Sequence, residues 1–447
     1  MMAERKKIKL PSGFKDYLPE EERKRNEMLD AVKRNVELFG FVPLDTPGVE
    51  EEWILTGGDP EFKKQIFKIR KSDESESLAL RFDLTVPLAR VVSMYPNELT
   101  FPFKRYQIGK VWRGERAQAG RFREFLQFDA DIVGSGSLLA DAEIVALMNQ
   151  VMTSLGFQNF LIKINNRKIL GGLPKYAGFP KGKLDAVLRT ADKWDKIGTE
   201  GVFKELSSKN AAALSKDEAR RVMDFFGIKA SNNREFLRSA RVLVSIDDAE
   251  AGFAEMEALI GHLASLGVPE DKWTFDFATV RGLVYYTGFV FETILTDLPE
   301  VGSVFSGGRY DHLVEYLGGG KLPAVGASVG VDRMLYAMEK LEVSFGSGRN
   351  VRAIILHFDD GALAAAERAV YELRKNGIPS EIYLGREKTL KGQLAFAVKN
   401  NYAVAVLIGE REASAGTATI KDLKSYKQTE VAIERLAPSV KKILDER

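Results

Sequence analysis

A chain of 447 residues, 45% of them apolar, has room for two or three hydrophobic cores and reads as a soluble globular protein. A formal charge of +2 is too balanced for composition alone to argue nucleic-acid binding, and zero cysteines exclude a disulfide framework, a thiol nucleophile and a cysteine-based metal site. The charged start, Met1 to Lys9, offers no apolar stretch for a signal peptide, and no apolar run is long enough to span a membrane, so a cytoplasmic location is expected. The three histidines, His262, His312 and His357, are scattered and match no metal-ligand spacing. Pro19 followed by Glu20, Glu21 and Glu22 predicts a helix start, because proline fits a first turn and acidic side chains complement the dipole there. Met28, Leu29, Val32, Val36 and Phe39 repeat at helical spacing, and Gly40 is placed as the stop. Phe41 to Pro47 is extended, since its two prolines forbid helix.

Between Leu80 and Arg90, Asp83 and Thr85 stand two residues apart. On a strand they share one face, where a carboxylate suits an ammonium and a hydroxyl adds an acceptor. Equally, Asp and Thr can cap a helix beginning near Val86-Pro87. The next segment is more informative. Arg105 to Trp112 reads as one strand of a hairpin, followed by Arg113-Gly114-Glu115, a loop, and a return strand from Arg121 to Asp131. From Phe125 on, Leu126, Phe128, Ala130 and Ile132 form an apolar side, while Gln127, Asp129 and Asp131 form an open polar face. Arginines there suit phosphate or carboxylate, and the acids suit an ammonium or a ring N–H. A solvated sheet face is the plainer reading of the same residues.

Residues 167–245 read as helices rich in lysine, inserted between strand-rich stretches. Val280 to Glu292 reads as a strand with Arg281 among apolar neighbours and a Tyr285-Tyr286 pair; a buried arginine needs an anionic partner, and paired tyrosines can close a planar pocket. The glycines of Ser306-Gly307-Gly308-Arg309-Tyr310-Asp311 either let a backbone approach closely or form a plain turn. Gly326 to Gly330 reads as a glycine-bearing strand leading to a helix start at Arg333. A Gly/Ser-rich linker near 341–350 precedes alternating strands and helices, the pattern of a small α/β layer domain. There Lys421, Lys424 and Lys427 could meet a phosphate backbone or simply form a solvated face.

Taken in order, these segments resemble the signature motifs of class II aminoacyl-tRNA synthetases, and of histidyl-tRNA synthetases among them. The helix and strand ending at Pro47 resemble the first class motif, Arg113-x-Glu115 with Arg121-x-x-x-Phe125 the second, and Gly326 to Arg333 the third. Residues 280–292 and 306–311 resemble the two histidine-specific signatures. The resemblance implies an α+β catalytic domain, a class II synthetase-type antiparallel sheet with flanking helices, over 1–166 and 246–340. It also implies a helical insertion domain at 167–245 touching the tRNA acceptor stem, a linker at 341–350 and an α/β anticodon-binding domain at 351–447. It further implies activation of L-histidine by ATP to histidyl-adenylate and pyrophosphate, then transfer to the 3′ end of tRNA(His), by a homodimer.

By the same resemblance Arg113 and Arg281 act on the α-phosphate. Asp83, Leu84, Thr85, Arg113, Gln127, Asp131, Arg281, Tyr285, Tyr286 and Gly308 hold histidine. Arg113, Glu115, Arg121, Phe125, Arg281 and Arg333 hold ATP, with Mg²⁺ carried on its phosphates rather than by protein ligands. Three positions depart from the family pattern: Val284 replaces a common aspartate, His312 a usual glycine and Asp332 a usual glutamate. The alternative is the family's non-catalytic, histidine-binding paralogue, the regulatory subunit of ATP phosphoribosyltransferase. That paralogue usually lacks the C-terminal domain and has eroded motifs, whereas Arg113, Arg281, Arg333 and an α/β tail are all present here.

Overall fold

A computed structural model describes residues 8–56, 65–70, 76–114, 122–244, 246–280, 285–343 and 353–446. It divides into two compact units, residues 1–346 and 347–447. In the first, the helix Pro19–Leu38 starts on its proline with the three glutamates in its first turn, and buries Met28, Leu29, Val32 and Val36. Gly40 follows at φ +79°, a left-handed conformation that glycine adopts without strain.

The strands of this unit are β1 (Val42–Pro43), β2 (Val49–Glu51), β3 (Phe67–Ile69), β4 (Leu78–Leu80), β5 (Phe103–Trp112), β6 (Glu124–Val133), β7 (Phe160–Asn166), β8 (Trp273–Phe275), β9 (Phe289–Leu295), β10 (Phe305–Arg309) and β11 (Ala324–Gly330). Eight of them form one sheet in the order β1-β5-β6-β11-β10-β9-β7-β8, and β2-β4-β3 form a small second one. The large sheet is antiparallel except at its two edges, where β1 runs parallel to β5 and β8 parallel to β7. β5 and β6 pair with Arg105 opposite Asp131, Gln107 opposite Asp129 and Gly109 opposite Gln127. One face of the hairpin, carrying Tyr106, Phe128, Ala130 and Ile132, joins a core with Val32 and Val36 of the first helix and Ile144 and Met148 of helix Leu138–Ser154.

Residues 167–244 carry helices such as Arg167–Ala177, Lys216–Phe226 and Asn233–Leu243, joined by turns. Ser215 and Glu218 form a reciprocal capping box at one of these starts. Their apolar faces share the sheet's own core, with Phe225 stacked on Phe277 at 4.6 Å.

One open alternative about local structure is decided and one expectation is corrected. Asp83 and Thr85 do not lie on a strand: β4 ends at Leu80 and a helix begins at Thr85, running to Met94. The Asp83 carboxylate accepts the Val86 N–H at 3.1 Å, so the capping role prevails over strand geometry. Tyr285 and Tyr286 also precede their strand, which starts only at Phe289, because the Thr287 N–H donates to the Arg309 carbonyl and the chain turns there. Val284, the departure just before them, lies outside the described residues.

The second unit carries β12 (Ala353–His357), β13 (Ser380–Ile382), β14 (Val404–Ile408), β15 (Thr417–Asp422) and β16 (Gln428–Ala432), in the order β13-β12-β14-β15-β16. β12 pairs in parallel with β13 and β14, and the last two strands add as an antiparallel hairpin. Helices Leu363–Lys375 and Leu436–Asp445 bury Ala366, Leu373, Leu436 and Val440 with this sheet, giving the α/β layers read from the sequence. The linker read at 341–350 falls mostly outside the described residues.

Candidate functional site

The second face of β5, β6 and β11 is where the polar residues collect. Gln127, Asp129 and Asp131 are only 7%, 2% and 3% exposed, so the face read as open is roofed over. Burying carboxylates is costly unless they are paired, and the partners come from distant parts of the chain. Asp131 sits across the strand from Arg105, which is wholly buried and places Nη2 2.9 Å from Asp131 Oδ2. Tyr310, just beyond β10, donates its hydroxyl to Asp131 Oδ1 at 2.5 Å. On the other side Asp131 faces Gly326 of β11, where an added Cβ would stand 1.9 Å from Oδ1. Only glycine leaves the carboxylate its place.

A second carboxylate lies beside this one. Asp83 accepts the Tyr285 hydroxyl at 3.2 Å on one oxygen while the other caps the helix. Burial pushes its carboxyl up to about 6, against the opposing pull of the Val86 N–H, Arg113 and the Tyr285 hydroxyl. Burial also raises Asp129 and Asp131, with the Asp131 charge adding to Asp129 and the Arg105 guanidinium opposing the rise in both. Tyr285, Tyr286 and Tyr310 are raised by burial and then by the nearby aspartates, so all three keep their protons and remain donors. Their rings meet edge to face, Tyr285 with Tyr286 at 5.2 Å and with Tyr310 at 5.8 Å. Beneath them Gly308 lies mid-strand rather than in a turn: a Cβ there would come within 2.5 Å of the Phe289 carbonyl and 3.0 Å of the Tyr286 ring.

The remaining candidates surround this floor. Gln127 donates to Ser328 Oγ at 2.5 Å, and its Oε1 is buried without a hydrogen-bond partner among the described residues, an acceptor suited to an ammonium. Thr85 is the first helical residue, and the Leu84 carbonyl accepts from Arg105 at 2.9 Å. Arg113 donates Nε to the Phe82 carbonyl at 3.0 Å, and its guanidinium lies 5.1 Å over the Phe125 ring. Arg333 sits in the first turn of helix Val331–Lys340 and donates to the Ser303 carbonyl. Its neighbour Asp332 accepts the Leu126 N–H at 3.0 Å, tying that helix start to β6. Glu115, Arg121 and Arg281 lie outside the described residues.

The tyrosine that bonds Asp131 is Tyr310, a residue given no role in the sequence reading, which named Tyr285 and Tyr286 as lining the pocket. Arg105 went unassigned as well. Its signal was available, since Arg105 and Gln107 are polar in the phase of β5 that faces Asp131 and Asp129.

A pocket of paired acids and tyrosines on this sheet belongs to the class II synthetase type of architecture. The crystal structure of histidyl-tRNA synthetase from Nostoc sp. PCC 7120 superposes with a TM-score of 0.83 at 32% identity, covering 98% of this chain and 99% of that one. A family model described as histidyl-tRNA synthetase matches residues 13–334, and one described as anticodon binding domain matches 350–443. Histidine–tRNA ligase of Clostridium tetani is 39% identical over 96% of this chain and 97% of its own. That of Wolinella succinogenes is 41% identical over 92% and 93%. The chain belongs to the histidyl-tRNA synthetase family.

Proposed function

We propose that the chain is a histidine–tRNA ligase, activating L-histidine with ATP and transferring it to the 3′ end of tRNA(His). The observation that carries this reading is that the synthetase and anticodon-binding models together match nearly the whole length, 13–334 and 350–443. A non-catalytic regulatory subunit is not favoured, because the anticodon-binding unit is matched along with the catalytic one.

In the first step a histidine carboxylate oxygen attacks the ATP α-phosphorus in line, and the bond to the bridging oxygen breaks to release pyrophosphate. In the second the terminal ribose hydroxyl of the tRNA attacks the activated carbonyl, and AMP leaves. The protein supplies no nucleophile; its work is positioning and charge. Asp83, Thr85 and the free Oε1 of Gln127 receive the substrate ammonium. Asp131, an acceptor bracketed by Tyr310 and Arg105, takes an imidazole N–H, while Tyr285, Tyr286 and Gly308 shape the flat slot for the ring. An amino acid lacking that N–H leaves a buried carboxylate unpaired and is rejected. Arg113, with Arg281 from the family pattern, offsets charge growing on the α-phosphate; Phe125 with Glu115 and Arg121 takes the adenine end, and Arg333 the γ-phosphate. Mg²⁺ carried on the ATP phosphates would neutralise part of their charge.

The working form is read as a cytoplasmic homodimer. Among the described residues no helix is long and apolar enough to cross a membrane. Leu38, Val42, Val49 and Trp53 are exposed apolar residues close in sequence, a surface that a second copy would cover. Light scattering should give twice the chain mass, and Trp53→Glu should lower it; a monodisperse monomer in the parent would remove the dimer from this reading. For the activity, pyrophosphate exchange with each proteinogenic amino acid is the deciding experiment. Exchange with histidine alone is expected, and exchange with none, or with a different amino acid, defeats it.

A further inference from the structure

Among the described residues Arg105 is the largest side chain with no solvent exposure at all, and it is cationic. One nitrogen, Nη2, does two jobs, lying 2.9 Å from Asp131 Oδ2 and donating to the Leu84 carbonyl at 2.9 Å. Its Nε and Nη1 have no hydrogen-bond partner among the described residues. A guanidinium buried for packing alone would be a poor choice, because an apolar side chain of similar size fills such space without the desolvation cost. What the charge adds is visible in its neighbours. Asp131 is faced by Arg105 from β5, by Asp129 along β6, by Tyr310 beyond β10, by Tyr286 before β9 and by Asp83 before the helix, while β11 contributes only Gly326 opposite. Of these groups Arg105 alone is a cation. Asp129 Oδ1 is itself buried without a hydrogen-bond partner among the described residues.

We infer that Arg105 is a positioning residue for substrate recognition: it holds Asp131 in place and ionised as the acceptor for the ring N–H, and ties it to the 83–85 segment that receives the ammonium. The inference deepens the function proposed above and rests on it. Without the cation, Asp129 and Asp131 would share one proton, and a protonated Asp131 presents a donor where the ring N–H needs an acceptor. The carboxylate still has lone pairs for the substrate, since Tyr310 takes one site on Oδ1, while Oδ2, ion-paired with Arg105 at 2.9 Å, has no hydrogen-bond partner among the described residues.

The test is histidine-dependent pyrophosphate exchange, with KM for histidine and for ATP followed across neutral pH. The parent comes first: no histidine exchange there defeats the proposed function, not this inference. Arg105→Gln keeps a donor for the Leu84 carbonyl and removes the charge. It should raise the histidine KM on the order of 10- to 100-fold while the ATP KM stays within about twofold. The penalty should shrink as pH rises, because Asp131 then loses its proton without help. Adding Asp129→Asn to that variant should recover about tenfold, since Asp131 no longer competes for the single charge. Arg105→Lys, which keeps the charge and is the safer variant for folding, should show a smaller penalty with no tilt in its pH profile. Equal rises in both KM values with an unchanged pH profile, no recovery in the double variant, or a lysine variant as impaired as the glutamine one would each reduce Arg105 to a packing residue and overturn the inference.

Discussion

β6 and β14 are both buried central strands, and they are built on opposite principles. β14, Val404 to Ile408, is apolar at every position and covered on both faces, as expected of a strand flanked by parallel and antiparallel neighbours inside an α/β layer. β6 is apolar on one face and carries Gln127, Asp129 and Asp131 on the other, at 7% exposure or less. Such a strand sacrifices burial energy and needs partners from other segments, Arg105 of β5, Ser328 of β11 and Tyr310 beyond β10, to be tolerated. The lesson is that in this protein the first unit keeps its chemistry in the core of its sheet. In the second unit the core is plain packing, and any contact with a partner must come from the rim.

The sharpest way to break this contrast is Asp131→Ala, which should lower histidine-dependent pyrophosphate exchange by at least about 1000-fold, because the ring N–H loses its only carboxylate acceptor. Near-parental exchange would strip Asp131 of its role. Gly326→Ala should follow, with a rise of about 100-fold in the histidine KM, since its Cβ would occupy the place of the Asp131 carboxylate, 1.9 Å from Oδ1. An unchanged KM in that variant would mean that the strand shifts to accommodate the methyl.

A pH effect comes next. Asp83 has its carboxyl raised to about 6, so as pH falls through that value it gains a proton and loses its charge for the ammonium. The histidine KM should rise roughly tenfold per pH unit below the midpoint. The substrate's own imidazole titrates nearby, so the measurement is best made with a triazole analogue whose ring stays neutral. A flat profile with the analogue would remove Asp83 from ammonium binding.

On the β14 side, Val406→Ala should cost about 2 kcal/mol of stability in denaturant unfolding and leave exchange untouched, because Val406 is fully buried and apolar. The smallest effect belongs to the rim. Lys424 and Lys427 are exposed at the β15–β16 hairpin turn, and replacing both with alanine should weaken tRNA binding about threefold and lower its salt dependence. Binding unchanged at low salt would mean that these lysines are only a solvated face.

Much of this was legible beforehand. The alternation from Leu126 to Ile132 fixed the hairpin and its two faces, and the regular repeats at Leu363 to Leu373 and Ala403 to Ile408 gave the second unit. Other features were not legible for a local reason. Asp83 and Thr85 satisfy the spacing rules of both a strand and a helix start, and what decides is the Val86 N–H reaching back to the Asp83 carboxylate. Tyr285 and Tyr286 sit at strand-like spacing, yet the tie between Thr287 and Arg309 bends the chain ahead of β9.

The order of residues along the chain by itself determined which side chains share a face, because strand and helix periods are properties of the backbone. It could not determine which of three tyrosines reaches which aspartate. Tyr310 meets Asp131 across 179 residues and Tyr285 meets Asp83 across 202, and both meetings follow from the order β5-β6-β11-β10-β9 in the sheet. Partners so far apart in sequence are selected by the packing of the whole sheet, which no local spacing encodes.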